Sequence, residues 1–337
     1  MNIRMSVLGD ADFDTHWSQG LAELRAAHPH YSPILRDFDH LCLGADLVSD
    51  DSFVFLDERG RIMALVPLYL CSVDGNLVYG NRDFYQIAPL VAGAETSKLH
   101  QEVLFRCCQR IEELAKKKNV LRHRTYFTSP TVPDGIYWSN PLASLGYEDE
   151  SCTGLILPLY EDNAILWSNI RKSYRPLINK AERNYRCLVI DSTNFDFRLC
   201  EEYRKLHFTA AGRATRPAES FHRQYTLIEQ GQGFLVLVAR DAEYAGAYFF
   251  YRIKDCVFYA SAATLPECDA QSGVGHLGLW KGIQKARETG ARYMDFGMLF
   301  LEHADPKVSN IEFFKFGFGG RKVMMFRGTR HFRASGT

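Results

Sequence analysis

The stretch Gly233–Thr264, GFLVLVARDAEYAGAYFFYRIKDCVFYASAAT, decides the fold. It reads as three strands rich in aliphatic and aromatic residues, joined by short turns at Asp241–Tyr244 and Lys254–Asp255. A polar loop follows. Then Leu279, Trp280, Ile283 and Ala286 recur on one helical face between about Gly275 and Thr289. Gly290 stops that helix, and ARYMDF, Ala291–Phe296, is one further strand.

The same order occurs earlier in the chain. SFVFLDERGRIMALVPLYL from Ser52 reads as strand, tight turn at Asp57–Gly60, strand, and NLVYG adds another. A helix over Ser97–Lys118 carries Val103, Leu104, Cys107, Ile111 and Leu114 at helical spacing, and VLRHRTYF is the strand after it. The joints align: AKKKNVLRHR beside ARETGARYMD, with Asn119 opposite Gly290. Both residue types accept the left-handed conformation at a helix end. The fold class expected is α+β (α/β mixed), as two tandem domains, each a mixed central sheet flanked by helices. The boundary falls near residue 150, giving 1–150 and 151–337. Helices are expected near Ala164–Ile170, from Pro176, and on either side of a loop Gly212–Arg216, the second opening at Pro217.

Composition narrows the class. Lys+Arg and Asp+Glu are both 40, so net charge supplies no bulk attraction to DNA or to a membrane surface. No apolar run is long enough to span a bilayer. The first residues, MNIRMSVLGDADFD, lack the apolar segment of a signal peptide, and the nine cysteines show no CxxC or zinc spacing, so a cytoplasmic protein with reduced thiols and no metal is expected.

The candidate chemistry lies in the second half. In ARYMDFGMLFLEHADPKVSNIEFFKFGFGG, Ala291–Gly320, Asp295 ends a strand, where open sheets tend to place ligands. Ser309 and Glu312 have capping-box spacing, which predicts a short helix from Asn310, ended by Gly317, Gly319 and Gly320. Lys315 is then turned about 100° from Phe314 around the axis, and can sit at a cleft rim while its neighbours are buried. There it would stabilise negative charge on a carbonyl oxygen, or simply snorkel from an aromatic cluster. By alternation, Val257, Tyr259, Ser261 and Ala263 share one strand face, and their small members admit a ligand or a helix. Arg213 and Arg216 precede a helix N-terminus, a setting suited to phosphate or carboxylate. Arg171, Lys172, Arg175, Lys180, Arg183 and Arg186 make a local basic run, a solvated face or a contact for a nucleotide, phosphorylated carrier or tRNA. In QSGVGH, Gly273 and Gly275 enter a helix whose amides could cradle a pyrophosphate.

Together LWSNIRKSYRPLINKAERN, HFTAAGRATRP, VFYASAAT, GHLGLWKGIQKARETGARYMDFG and FFKFGFGG, in that order, resemble the FemAB-like (FemABX) branch of the GNAT-fold acyltransferases, over about residues 150–325. The resemblance implies two tandem GNAT-like domains, with the substrate cleft between them or in the second, which is expected to carry the active site. It implies an N-acyltransferase or aminoacyltransferase that moves an acyl group from acyl-CoA or aminoacyl-tRNA to an amine of a cell-envelope precursor, sugar or peptide-like small molecule. No tightly bound cofactor is implied. The family's lysine in F-K-x-G-F-G matches Lys315, which is associated with transition-state stabilisation, and its strand tyrosine matches Tyr259. An arginine handling substrate phosphate matches Arg213 or Arg216. Asp295 is the further catalytic candidate, Ser261 a substrate-binding one, and Gly273 and Gly275 are the cofactor-binding candidates. The usual R/Q-x-x-G-x-G/A pattern has Ala270 at its first position, with Gln271 one place off. The expected partners are the small-molecule or precursor amine and tRNA, with peripheral membrane contact, as a monomer or homodimer. A non-catalytic tandem GNAT module binding a nucleotide-linked precursor or a protein is the alternative.

Overall fold

Asn119 at φ 55° and Gly290 at φ 80° both stand in the left-handed region, as their places at the two helix-to-strand joints require. The computed structural model describes residues 3–24, 28–81, 85–93, 97–127, 140–160, 162–268, 270–299 and 306–332. The chain divides into two compact units. The first comprises Met1–Arg36, Leu43–Cys152 and Met324–Thr337, the second Asp37–Cys42 and Thr153–Val323.

The first unit runs β1 (Arg4–Val7), α1 (Phe13–Glu23), α2 (Pro33–Leu43, whose residues Asp37–Cys42 group with the second unit), β2 (Leu47–Asp50), β3 (Phe53–Leu56), β4 (Ile62–Val66), β5 (Tyr69–Val73), β6 (Asn76–Tyr79), β7 (Gln86–Ile87), β8 (Leu90–Val91), α3 (Lys98–Lys118), β9 (Arg122–Tyr126) and β10 (Glu148–Asp149). Ser97 caps α3, its hydroxyl accepting from the His100 amide at 3.1 Å. The apolar stripe of α3, Val103, Leu104, Cys107 and Ile111, is buried with Phe53, Ala64 and Tyr79 of the strands. One sheet has the order β1-β3-β4-β8; the other runs β10-β18-β9-β6-β5-β2, with β7 also on β9 and with β18 the strand Arg327–His331.

The second unit runs β11 (Cys152–Pro158), α4 (Asn163–Asn169), α5 (Tyr174–Asn184), β12 (Arg186–Ile190), α6 (Phe197–Ala211), α7 (Ala218–Glu229), β13 (Gly233–Arg240), β14 (Glu243–Ile253), β15 (Cys256–Thr264), α8 (Val274–Glu288), β16 (Tyr293–Leu299), α9 (Pro306–Phe316) and β17 (Arg321–Met325). Its single sheet has the order β12-β13-β14-β15-β16-β11-β17. The meander pairs antiparallel throughout, and β15 then meets β16 in parallel, as strands joined through a helix do. Helix α8 lies close on β14 through its own glycines. A Cβ at Gly278 would stand 2.0 Å from the Tyr248 ring, and one at Gly282 2.1 Å from that of Phe250.

Both units are mixed sheets with helices on them, the fold class expected. The last strand, β18 (Arg327–His331), lies in the first unit, antiparallel to β9 and β10, although a boundary at residue 150 assigns it to the second. Ladder hydrogen bonds, not distance along the chain, decide that membership. Two helix starts also differ from expectation. Helix α5 begins at Tyr174, with Pro176 inside its first turn, where a missing amide costs no helical bond. Helix α9 begins at Pro306 rather than Asn310. Among the described residues, no helix is long and apolar enough to cross a membrane.

Candidate active site

The parallel pairing of β15 with β16 is short: Cys256 with Tyr293, Val257 with Met294, Phe258 with Asp295. Beyond it the two strands part. Strand β16 continues along β11, whose register shifts between Gly154 and Ile156, and Gly297 takes φ +81°. Strand β15 stays with β14 but bulges, since Phe249 opposes Ser261 and Phe250 opposes Tyr259. Ala260 is the extra residue. A wedge therefore opens between the strands, with Ala260 and Ala262 exposed along one edge.

The bulge corrects one expectation. Strict alternation puts Tyr259 and Ser261 on one face; the inserted residue separates them. Tyr259 packs beside Phe250 and Phe296, on the side covered by α8, and burial pushes its hydroxyl pKa up. Ser261 faces α6, where Tyr203 Oη lies 2.9 Å from its Oγ. On that face α6 packs against β15, while the closest helix-to-sheet approach is made by glycines of α8 against β14.

Lys315, at the end of α9, is half-buried and reaches the mouth of the wedge. Its Nζ donates to the Phe296 carbonyl at 2.6 Å, on the strand just past the last parallel pair. Asp295 is buried at 3% exposure. Burial lifts its pKa to about 6, opposed by the Gly297 amide, which donates to Oδ1 at 2.6 Å, and by the charge of Lys315. Burial also lowers the Lys315 pKa, while Asp295 and the buried Glu312 pull it upward. Glu312 thus faces the lysine rather than closing a capping box, because the helix starts well before Ser309.

The aromatic knot around Lys315 is held by Tyr174. A Cβ at Gly317 would fall 1.9 Å from the Tyr174 ring, and that ring sits 5.6 Å from Phe318 and 4.3 Å from His276. The Arg171 amide donates to the Gly317 carbonyl at 2.8 Å, and the Arg171 guanidinium covers the Phe313 ring at 3.7 Å. The glycine in FGFGG signals that some ring needs its space; nothing local says which one.

Helix α5 also covers the start of α8. A Cβ at Gly273 would lie 2.4 Å from the Leu177 carbonyl oxygen, and Lys180 Nζ donates to the Gln271 carbonyl at 3.1 Å. The ring of Phe314 stands 3.8 Å from where a Cβ of Gly275 would be. Gly273 thus serves close packing against the α5 backbone, whereas the neighbours of Gly275 stand at ordinary contact distance. Part of the basic run is spent in the same packing, since Arg175 Nε donates to the Ile170 carbonyl at 3.1 Å.

The two arginines of the α6–α7 loop differ. Arg213 is exposed. Arg216 is half-buried, 3.8 Å over the Phe221 ring and 5.0 Å from that of Phe38, and its Nη2 donates to Gln224 Oε1 at 2.6 Å and Tyr203 Oη at 2.9 Å. Tyr203 and Gln224 were not legible as polar site residues. In the sequence they occupy helical positions no different from other core-facing ones.

Residues 168–305 match a family described as the acetyltransferase (GNAT) domain. A comparison with curated proteins gives no significant match. Among solved structures the chain is similar to FemX, with TM-score 0.68 and 14% identity over 97% of each chain. It is similar to L-PGS from Bacillus licheniformis, with TM-score 0.59 and 14% identity over 97% of this chain and 95% of that one. A tandem GNAT protein from the clavulanic acid biosynthesis pathway gives TM-score 0.53 and 13% identity over 98% of both. At such identities the likeness is one of fold, and it covers both units.

Proposed function

We propose that this chain, which resembles FemAB-like GNAT proteins in fold, is an acyltransferase that transfers an aminoacyl or acyl group to an amine, from an ester such as aminoacyl-tRNA rather than from acyl-CoA bound at Gly273 and Gly275. The observation that carries the chemistry is the ammonium of Lys315 at the mouth of the β15–β16 wedge, beside a buried carboxylate. The preference for an ester donor is supported by Ala270 at the first position of the R/Q-x-x-G-x-G/A pattern, where a basic or amide side chain would meet a pyrophosphate.

The amine nitrogen attacks the donor carbonyl carbon. A C–N bond forms, the ester C–O bond breaks, and the proton lost by the amine ends on the leaving oxygen. Lys315 stabilises the oxyanion formed on the way; one such donor contributes about 2.7–4 kcal/mol. Asp295, with its pKa near the working range, carries the proton between nitrogen and leaving oxygen. Tyr259 lines the α8 side of the wedge and orients the acceptor. Arg213, exposed in its loop, takes an anionic part of donor or acceptor. The acceptor is an amine of a cell-envelope precursor, a sugar or a peptide-like molecule.

The test is mass spectrometry of products after incubation with amine acceptors and either an aminoacyl-tRNA pool or an acyl-CoA pool. Product with the tRNA pool alone is expected. Product with acyl-CoA alone overturns the choice of donor, and no product with either overturns the reaction.

A further inference from the structure

The polar chain on the α6 side of the sheet has a direction, set by its first member. An arginine carries donors only. Gln224 Oε1 and Tyr203 Oη therefore both accept from Arg216 Nη2. Gln224 is oriented by that bond, and its Nε2 donates to Tyr251 Oη at 3.0 Å. Tyr203 has one hydrogen to place. Gln224 Oε1 is 3.1 Å away and already holds a shorter, charge-assisted bond. Ser261 Oγ is 2.9 Å away and, among the described residues, accepts from no other group. A guanidinium bonded to the phenol oxygen also strengthens its O–H as a donor. The hydrogen goes to Ser261.

Ser261's own hydrogen then points away from Tyr203 and, among the described residues, meets no protein acceptor. The residue is half-exposed, on the part of β15 beyond its last pair with β16 and between the exposed Ala260 and Ala262. We propose that Ser261 presents an O–H donor to the wedge, held in that direction by Tyr203 and Arg216, and that the substrate group it takes is a carbonyl or carboxylate oxygen. Tyr203 is a positioning residue, and Arg216 anchors it rather than meeting the substrate. The inference rests on the wedge being the substrate site.

The direction of the chain can be read without any turnover. In Ser261→Cys the phenol would donate to the thiolate, with the arginine behind it. The pH dependence of iodoacetamide labelling at position 261, resolved from the native thiols by peptide mapping, is expected to give an apparent pKa about one unit or more below the ordinary 8.5. Adding Tyr203→Phe is expected to raise it by a similar amount. A profile at the ordinary value in both backgrounds overturns the proposed direction. With substrate, Ser261→Ala and Tyr203→Phe are each expected to raise KM about two- to tenfold, the effect of one hydrogen bond. The double variant should be no worse than either single one, and Ser261→Thr should recover part of the loss. Additive losses overturn the coupling. If wild-type protein forms no product from either donor pool, the proposed reaction fails, and the labelling profile still decides the direction of the hydroxyl.

Discussion

Strands β6 and β9 of the first unit and β15 and β16 of the second are the same kind of joint: a parallel pair reached through a helix. Each pairing is brief. In the first unit Val78 and Tyr79 meet Arg122 and His123 before β6 ends. There the chain returns at once as β7, setting Gln86 and Ile87 against Thr125 and Tyr126. The Thr125 hydroxyl donates to the Gln86 carbonyl at 2.9 Å and the Ala88 amide to the Tyr126 carbonyl at 2.8 Å, so the gap is filled by backbone. In the second unit no strand among the described residues fills it, and the carbonyl of Phe296 is met by Lys315. The position aligned with Asp295 is Arg124, whose guanidinium lies 4.1 Å over the Tyr85 ring. One architecture thus gives a sealed joint and an open one, the latter lined by the residues proposed for the chemistry. What differs is whether a neighbouring segment satisfies the backbone the parting strands expose.

The contrast breaks most visibly at Lys315. Lys315→Ala is expected to lower kcat about 10²–10³-fold, the cost of one oxyanion donor, with the thermal midpoint little changed. Unchanged kcat would leave the open joint without its catalytic group. Next in size is Ile87→Ala in the sealed joint, where a buried side chain is lost from beside β9. Denaturant unfolding should show at least about 2 kcal/mol of destabilisation, with turnover per folded molecule unchanged. A loss of turnover greater than the loss of folded protein would place chemistry in the first unit as well.

The smallest effect is on pH dependence. Burial raises Asp295 to about 6, so the carboxylate is protonated, and unable to accept a proton, as pH falls below that value. The expected kcat profile falls about tenfold per pH unit below 6, and Asp295→Asn, slower overall, lacks that limb. A limb that persists in Asp295→Asn assigns it to another group.

Much of this was legible before the structure. Ser97 and Asn119 bound α3, Gly290 follows α8, and the three-strand meander has the limits that its turn residues mark. Lys315 and Asp295, singled out in one stretch, do come near each other. The face of Ser261 was not legible, because one bulged residue inverts the alternation. Nor was the partner of Gly317 and Gly273: a glycine announces close approach, but Tyr174 and Leu177 come from far along the chain, and only packing selects them.

From its sequence alone the protein determines its local elements: where helices stop, which strands turn back on themselves, and that the order occurs twice. Those features depend on groups within a few residues, through capping, turn chemistry and periodicity. Tertiary structure decided that β18 returns to the first unit, that β7 closes one joint while the other stays open, and that α5 lies over the start of α8. These choices are set by long-range hydrogen bonding and packing, in which the free energy of an arrangement depends on residues brought together only by folding.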